Sequence, residues 1–318
     1  MTPAALQVEH REAVVNGVRL HYVEKAPPGA PNAPVVVLLH GFPETWWSWR
    51  HQIEPLVTAG YRVIAPDQRG YADSGKNGPF DIDTLAADIA ALIAHVAPPG
   101  GKALLVGHDW GGGVAWHVAA HHPERVARLV VMNCPHPVMM MQALTGRWSQ
   151  IKKSWYIFFF LLPMLPERLL TQNGGAWVKK IFRGSAIDRT HFTSAELAPI
   201  LEAVQRPGAA HGMISWYRAM IRRGITHRRD LREYPRIGAP TLLLWAMDDI
   251  ALGFDDLVPG TERLVPGLRV ETIAQCGHFV QQEQPEKANR ALLAFLAEDA
   301  TAPATKQAAP RARPTNGH

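Results

Sequence analysis

The sequence predicts an α/β fold, a mostly parallel sheet with helices on both faces, carrying an inserted helical lid. Three observations lead there. Short apolar runs recur at residues 35–39, 62–65, 103–106, 128–132, 241–245 and 269–273, with the span and composition of strands. Segments with helical spacing stand between several of them, and strands alternating with helices make a parallel sheet covered on both sides. The alternation then lapses between about Pro135 and Tyr234, where aromatic residues and methionine fall at helical spacing and no strand is evident.

Taken in order, residues 8–15 and 18–24 alternate in polarity around Asn16-Gly17, a signal for an antiparallel hairpin. Residues 35–39 (VVVLL) form a continuous apolar run, as in a strand buried on both faces, and 62–65 repeats it. Residues 84–96 have helical periodicity, with Asp83 as the expected N-cap. The 103–106 strand leads into a helix that stops near His122-Pro123, and 128–132 is the next strand. After the lid, strands at 241–245 and 269–273 complete the sheet, and residues 285–296 form an amphipathic helix with Pro285 at its start. The expected division is a core of residues 1–135 and 233–299, a lid of 136–232, and a disordered Pro/Ala-rich tail of 300–318. No internal repeat is found.

With 47% apolar and 19% charged residues, the 318-residue chain can bury a sizeable core. The net charge of +5 is modest, and Lys306, Arg311 and Arg313 of the tail supply three of the positive charges. A solvated tail is favoured over a nucleic-acid or lipid contact. The two cysteines, Cys134 and Cys276, fall near the ends of strands with another strand between them. That puts them roughly 9–10 Å apart, beyond disulfide reach, so free thiols and a reducing, cytoplasmic setting are expected. The first ten residues lack the pattern of a signal peptide. The apolar stretch 157–165 is too short to span a bilayer and is read as a buried lid helix, so no stable membrane insertion is expected.

The chemistry begins at Gly107-His108-Asp109-Trp110-Gly111-Gly112, placed between a strand and a helix. Strand, tight glycine turn and helix make the context of a nucleophile elbow, which normally reads G-x-S-x-G. Here Asp109 holds the nucleophile position. A carboxylate attacking an acyl carbon gives a labile anhydride, whereas attack on a saturated carbon bearing a good leaving group gives an ordinary ester. Epoxides and alkyl halides are therefore the expected substrates. Past the lid, Trp245-Ala246-Met247-Asp248-Asp249 ends a strand, and Gly277-His278-Phe279 follows another. Nucleophile, acid and histidine thus occur in the order of a catalytic triad on this kind of sheet.

Together these motifs resemble those of α/β-hydrolase-fold epoxide hydrolases of the soluble type, over roughly residues 8–298. His40-Gly41-Phe42-Pro43 looks like the family's H-G-x-P motif, Asp67-Gln68-Arg69-Gly70-Tyr71 is similar to its next loop, and Gly277 to Glu283 matches its histidine motif. The resemblance implies that Asp109 forms an alkyl-enzyme ester and that His278 activates the water that cleaves it. The family pattern Trp-Gly-x-x-Asp selects Asp249 over Asp248 as the supporting acid, with Ala246 replacing the usual Gly. It implies an oxyanion hole made by the backbone N–H groups of Phe42 and Trp110. It also implies two lid tyrosines that protonate the epoxide oxygen. Tyr217, in Ser215-Trp216-Tyr217-Arg218, and Tyr156, in Trp155-Tyr156-Ile157, occupy those positions. His40, Pro43, Trp110, Trp155 and Trp216 are the expected substrate-binding residues, and the substrate is expected to be neutral and apolar.

Haloalkane dehalogenation with the same nucleophile is the rival reaction, and a non-catalytic binding role is the rival of another class. Phe42 stands where haloalkane dehalogenases carry Asn. Trp110 and Gly113 stand where fluoroacetate dehalogenases carry their two arginines, and Tyr156-Ile157 where those enzymes carry a lid His-Trp pair. Gly70 to Lys76 has P-loop spacing, but Asn77 and Gly78-Pro79 follow, so no helix receives a phosphate. His117 and His121 have the i, i+4 spacing of a zinc helix without its glutamate, and are read as a polar helix face. No cofactor, no metal and no nucleic acid are expected; water and a small epoxide are the expected partners, and the oligomeric state is left open.

Overall fold

The computed structural model describes residues 6–30, 32–226 and 233–298. The tail expected at 300–318, with Lys306, Arg311 and Arg313, lies outside them, as do residues 227–232 of the expected lid. Eight strands form one sheet: β1 (Glu9–Val15), β2 (Val18–Lys25), β3 (Val35–Leu39), β4 (Arg62–Pro66), β5 (Ala103–His108), β6 (Val126–Met132), β7 (Thr241–Ala246) and β8 (Leu268–Ile273). Their order is β1-β2-β4-β3-β5-β6-β7-β8. β1 and β2 pair antiparallel with Val15 opposite Val18, and Asn16 and Gly17 both take the positive φ that a two-residue hairpin turn requires. β2 is also antiparallel to β4, while the pairings from β4 through β3 to β8 are parallel.

Every residue of β3 and β7 is buried, and β5 and β6 are buried at all but one position each. A strand with helices on both faces has no wet side to make polar, hence the unbroken apolar runs. Each fully buried Val, Leu or Ile in them contributes about 1.5–3 kcal/mol.

Helices α1 (Arg50–Thr58), α2 (Ile82–Val96) and α3 (Trp110–His121) connect the first strands. Asp81, rather than Asp83, caps α2: its Oδ1 accepts the Thr84 N–H at 3.0 Å. Asp83 lies within the first turn, where its carboxylate turns to His117 and Arg223.

Between β6 and β7 come α4 (Pro137–Gly146), α5 (Trp148–Lys153), α6 (Trp155–Phe159), α7 (Leu165–Ser185), α8 (Ser194–Gln205) and α9 (Ala209–Thr226). α7 is broken by a turn in which Asn173, Gly174 and Gly175 have positive φ. The expectation of a buried helix at 157–165 is corrected here. α6 ends at Phe159, and although Ile157 and Phe160 are buried, Phe158, Leu161, Leu162, Met164 and Leu165 are exposed. A helix of five residues has one face to bury, and Pro163 with Met164 at φ 60° interrupts the chain before α7. Among the described residues no helix is long and apolar enough to cross a membrane. α10 (Phe254–Leu257), α11 (Val280–Glu283) and α12 (Pro285–Ala297) complete the chain. Cys134 and Cys276 are free thiols, following β6 and β8 on either side of β7.

From β3 the chain goes to β4 on one side, and from β5 it proceeds to β8 on the other. The crevice at the carboxyl ends of β3 and β5 is thus a topological switch point, where open α/β sheets bind ligands.

Candidate active site

Asp109 follows β5 and precedes the first residue of α3, at φ 48° and ψ −123°. This backbone persists because its neighbours hold it. A Cβ on Gly107 would lie 2.3 Å from the Gly111 carbonyl oxygen, and one on Gly111 2.2 Å from that of Leu39. Glycine is needed at both positions to press the start of α3 against the strand ends. Across the crevice, a Cβ on Gly41 would come within 2.5 Å of Asp109 Cβ. The Phe42 N–H donates to Asp109 Oδ1 at 2.8 Å. Trp110 opens α3, so its N–H belongs to the first turn, which has no intrahelical acceptors and carries the positive end of the helix dipole.

His278, on the loop between β8 and α11, stands between two carboxylates. Its Nε2 is 3.5 Å from Asp109 Oδ2 and its Nδ1 2.7 Å from Asp249 Oδ2. Asp249 Oδ1 accepts the N–H groups of Ala251 and Leu252 at 2.8 and 3.0 Å. Asp248 is exposed and accepts the Gln275 N–H instead. Asn133 escaped the sequence reading. Its Nδ2 donates to Asp249 Oδ2 at 2.8 Å, and its Oδ1 accepts the Ala246 N–H at 2.9 Å, tying the end of β6 to that of β7. Its one sequence signal is position, as the first residue beyond a buried strand on the edge that carries Asp109.

Burial by itself would lower the pKa of His278, but the charge of Asp249 and the bonds to both carboxylates raise it well above the ordinary value. Burial would raise those of Asp109 and Asp249, yet the charge and hydrogen bonds of His278 bring both below the usual range.

A buried polar chain extends from this site. The His108 ring bridges Glu44 Oε2 and the His278 carbonyl oxygen, each at 2.9 Å. Glu44 also accepts the Gly41 N–H at 2.6 Å and the side-chain amides of Gln281 and Gln282 at 3.0 and 2.7 Å. Gln282 Oε1 accepts from Arg50, whose Nε meets Glu196 of α8 at 2.5 Å. The sequence shows these residues only as neighbours of motifs. His40, expected to touch substrate, is wholly buried beneath the site: its Nδ1 donates to the Gly41 carbonyl, and its Nε2 accepts the Gln68 N–H.

A cavity of about 590 Å³ opens in front of Asp109. Trp110, Tyr156, Trp216 and Tyr217 line it, with apolar walls that include Met140, Leu144, Ile157 and Met220. The Tyr156 and Tyr217 rings lie 6.1 Å apart, and Tyr217 also packs edge-on against Phe42 and Trp110. Burial, then the charge of Asp109, pushes both phenols up, so each keeps its proton at neutral pH. Trp216 donates its indole N–H to the Arg69 carbonyl at 3.1 Å. Pro43 and Trp155 do not line the cavity: Pro43 is buried, and Trp155 is 61% exposed and packs against Phe159. The reading of His117 and His121 as a polar face fails for His117, which is buried in the cavity wall because α9 and Tyr234 cover that side of α3. His21, Asp67 and Asp73 come within metal-binding distance of one another, but His21 is bonded to Asp67 and Asp73 pairs with Arg206.

Comparison with known proteins defines the class. A family model described as alpha/beta hydrolase fold matches residues 34–161. The AB hydrolase superfamily protein YfhM of Bacillus subtilis is 40% identical over 88% of this chain and 95% of its own length. Epoxide hydrolase 4 of Mus musculus is 33% identical over 89% of this chain and 78% of its own. The crystal structure of epoxide hydrolase A from Mycobacterium thermoresistibile superposes with a TM-score of 0.77 at 32% identity, covering 91% of this chain and 98% of that one. Within the α/β-hydrolase fold, this chain belongs to the epoxide hydrolases, enzymes that hydrolyse ether bonds.

Proposed function

We propose that this enzyme adds water to a neutral epoxide, giving a vicinal diol through a covalent ester on Asp109. The observation that carries the reading is one cavity in which a carboxylate on a strained turn faces two protonated tyrosines and is backed by a His278–Asp249 pair. Asp109 attacks one epoxide carbon, the carbon–oxygen bond breaks, and Tyr156 and Tyr217 supply a proton to the leaving oxygen. Alkylation removes the negative charge of Asp109 that helps to raise the pKa of His278. The imidazolium proton then passes to the tyrosinate left by the first step, which restores the phenol and leaves the imidazole free to act as a base. It takes a proton from water, the hydroxide adds to the Asp109 carbonyl carbon, and the Phe42 N–H stabilises the oxyanion, joined by that of Trp110. Collapse frees the diol. The helices between β6 and β7 serve as the lid that shields the ester from bulk water. The free thiols support a cytoplasmic setting.

Single turnover in heavy-oxygen water tests the scheme. Label is expected in the Asp109 peptide and absent from the first diol, because the oxygen transferred to substrate is that of the carboxylate. Label in the first diol would mean direct attack by water. Asp109→Ala should abolish diol formation. Bromide release from an alkyl bromide without diol from an aryl epoxide would turn the enzyme into a dehalogenase.

A further inference from the structure

A second polar cluster lies in the same cavity, and the proposed chemistry does not use it. On α3, Trp110, Gly113, His117 and His121 recur every three or four residues and all line the cavity. At 1.5 Å of rise per residue, His117 and His121 stand roughly 12 and 18 Å along the helix from Asp109. The cavity therefore follows the helix, with the nucleophile at one end and two imidazoles at the other.

The far end is built from several elements. His117 Nε2 meets Asp83 of α2 at 2.6 Å, and the Tyr234 hydroxyl meets His117 Nδ1 at 3.3 Å. Asp83 also pairs with Arg223 of α9. His121 stacks on His117 with ring centroids 4.1 Å apart, and its own nitrogens make no hydrogen bond among the described residues. Burial and the neighbouring His121 bring the His117 pKa down to about 4, so this imidazole is neutral at physiological pH. The charges of Arg223 and Asp83 offset each other. What faces the cavity is a set of hydrogen-bonding groups with little net charge, at the mouth of an otherwise apolar passage where His121 is exposed.

We infer that His121, held by His117 and Tyr234, forms a distal subsite for an uncharged oxygen function of the substrate, a hydroxyl, ether or carbonyl, joined to the epoxide by an apolar stretch of roughly 12 to 18 Å. This inference rests on the epoxide-hydrolase reading for its reaction, and on the cavity alone for its ligand. The enzyme then prefers elongated epoxides carrying a polar group at the end remote from the ring.

The test is a homologous series of terminal epoxides ending in methyl or in hydroxyl, assayed as kcat/KM for the wild type and His121→Leu, with an aryl epoxide as activity control. In the wild type the hydroxyl series is expected to gain roughly three- to tenfold over the methyl series, the worth of one hydrogen bond, and only at lengths that reach the cluster. His121→Leu should bring the two series together, chiefly through KM. Equal rates for both series at every length in the wild type overturn the subsite, as does a His121→Leu loss of the same size in both. A carboxylate-ended series that outperforms the hydroxyl series overturns its uncharged character. If no epoxide, including the aryl control, is turned over, the reaction reading fails, and the subsite is then judged from binding of the product diols. Tighter binding of the hydroxyl-ended diol, lost in His121→Leu, upholds it; equal binding of both diols overturns it.

Discussion

Asp109, His278 and Asp249 set one another's protonation states. His278 carries a raised pKa because burial is outweighed by the Asp249 and Asp109 carboxylates, and those carboxylates are lowered by its charge in return. The sign for stability follows. The histidine's contribution is complete below its unfolded value of about 6.5 and is lost as pH rises through its higher folded value. The carboxylates contribute above about 3.8, and their share is lost as pH falls through their lower folded values. Wild-type resistance to urea should therefore decline as pH rises above about 6.5, and His278→Gln should flatten that decline. Unfolding midpoints measured across pH check this; an unchanged slope in the variant would assign the decline to other groups. Asp109 and His278 were legible because a glycine-flanked turn and a histidine loop stand directly after apolar strands. Asn133 was not, because its amide has meaning only once β6 and β7 lie side by side.

At the scale of elements, strands were easier to read than helix ends and helix faces. β3 through β7 announce themselves as apolar runs because helices cover both sides of the sheet. α2 starts two residues before the point that the sequence predicts because Asp81 and Asp83 are both acceptable caps by type, and backbone geometry alone chooses between them. Asp81→Ala is expected to cost about 1 kcal/mol in urea or thermal unfolding while preserving epoxide turnover. Asp83→Ala loses no cap, and its effect should appear in the cavity, through His117 and Arg223. The exposed side of α6 and the buried side of α3 depart from what periodicity predicts for a shared reason. Periodicity tells which residues share a face, but what covers that face is decided by segments far away in sequence, here α9 and Tyr234 over His117.

For the whole molecule, the chain Glu196–Arg50–Gln282–Glu44–His108 connects α8 of the insertion to the backbone of His278. Arg50 is fully buried and also donates to the Trp47 and His191 carbonyls. Removing one partner of a buried ion pair leaves unbalanced charge, so Arg50→Met should destabilise the protein by about 3–5 kcal/mol. The urea midpoint reads this directly, and a loss below about 1 kcal/mol would mean that the pair behaves like one on the surface.

Asp109, Asp249 and His278 come from the carboxyl edge of the sheet, whereas Tyr156, Tyr217 and much of the cavity wall come from the insertion between β6 and β7. On the proposed reading the nucleophile and its base are therefore written in one part of the gene, and the two proton donors with most of the pocket's outline in another. Mutation of the insertion outside those two tyrosines can redraw the outline of an acceptable substrate without touching the groups that make and break bonds, so a lineage built on this plan can change its diet while keeping its chemistry.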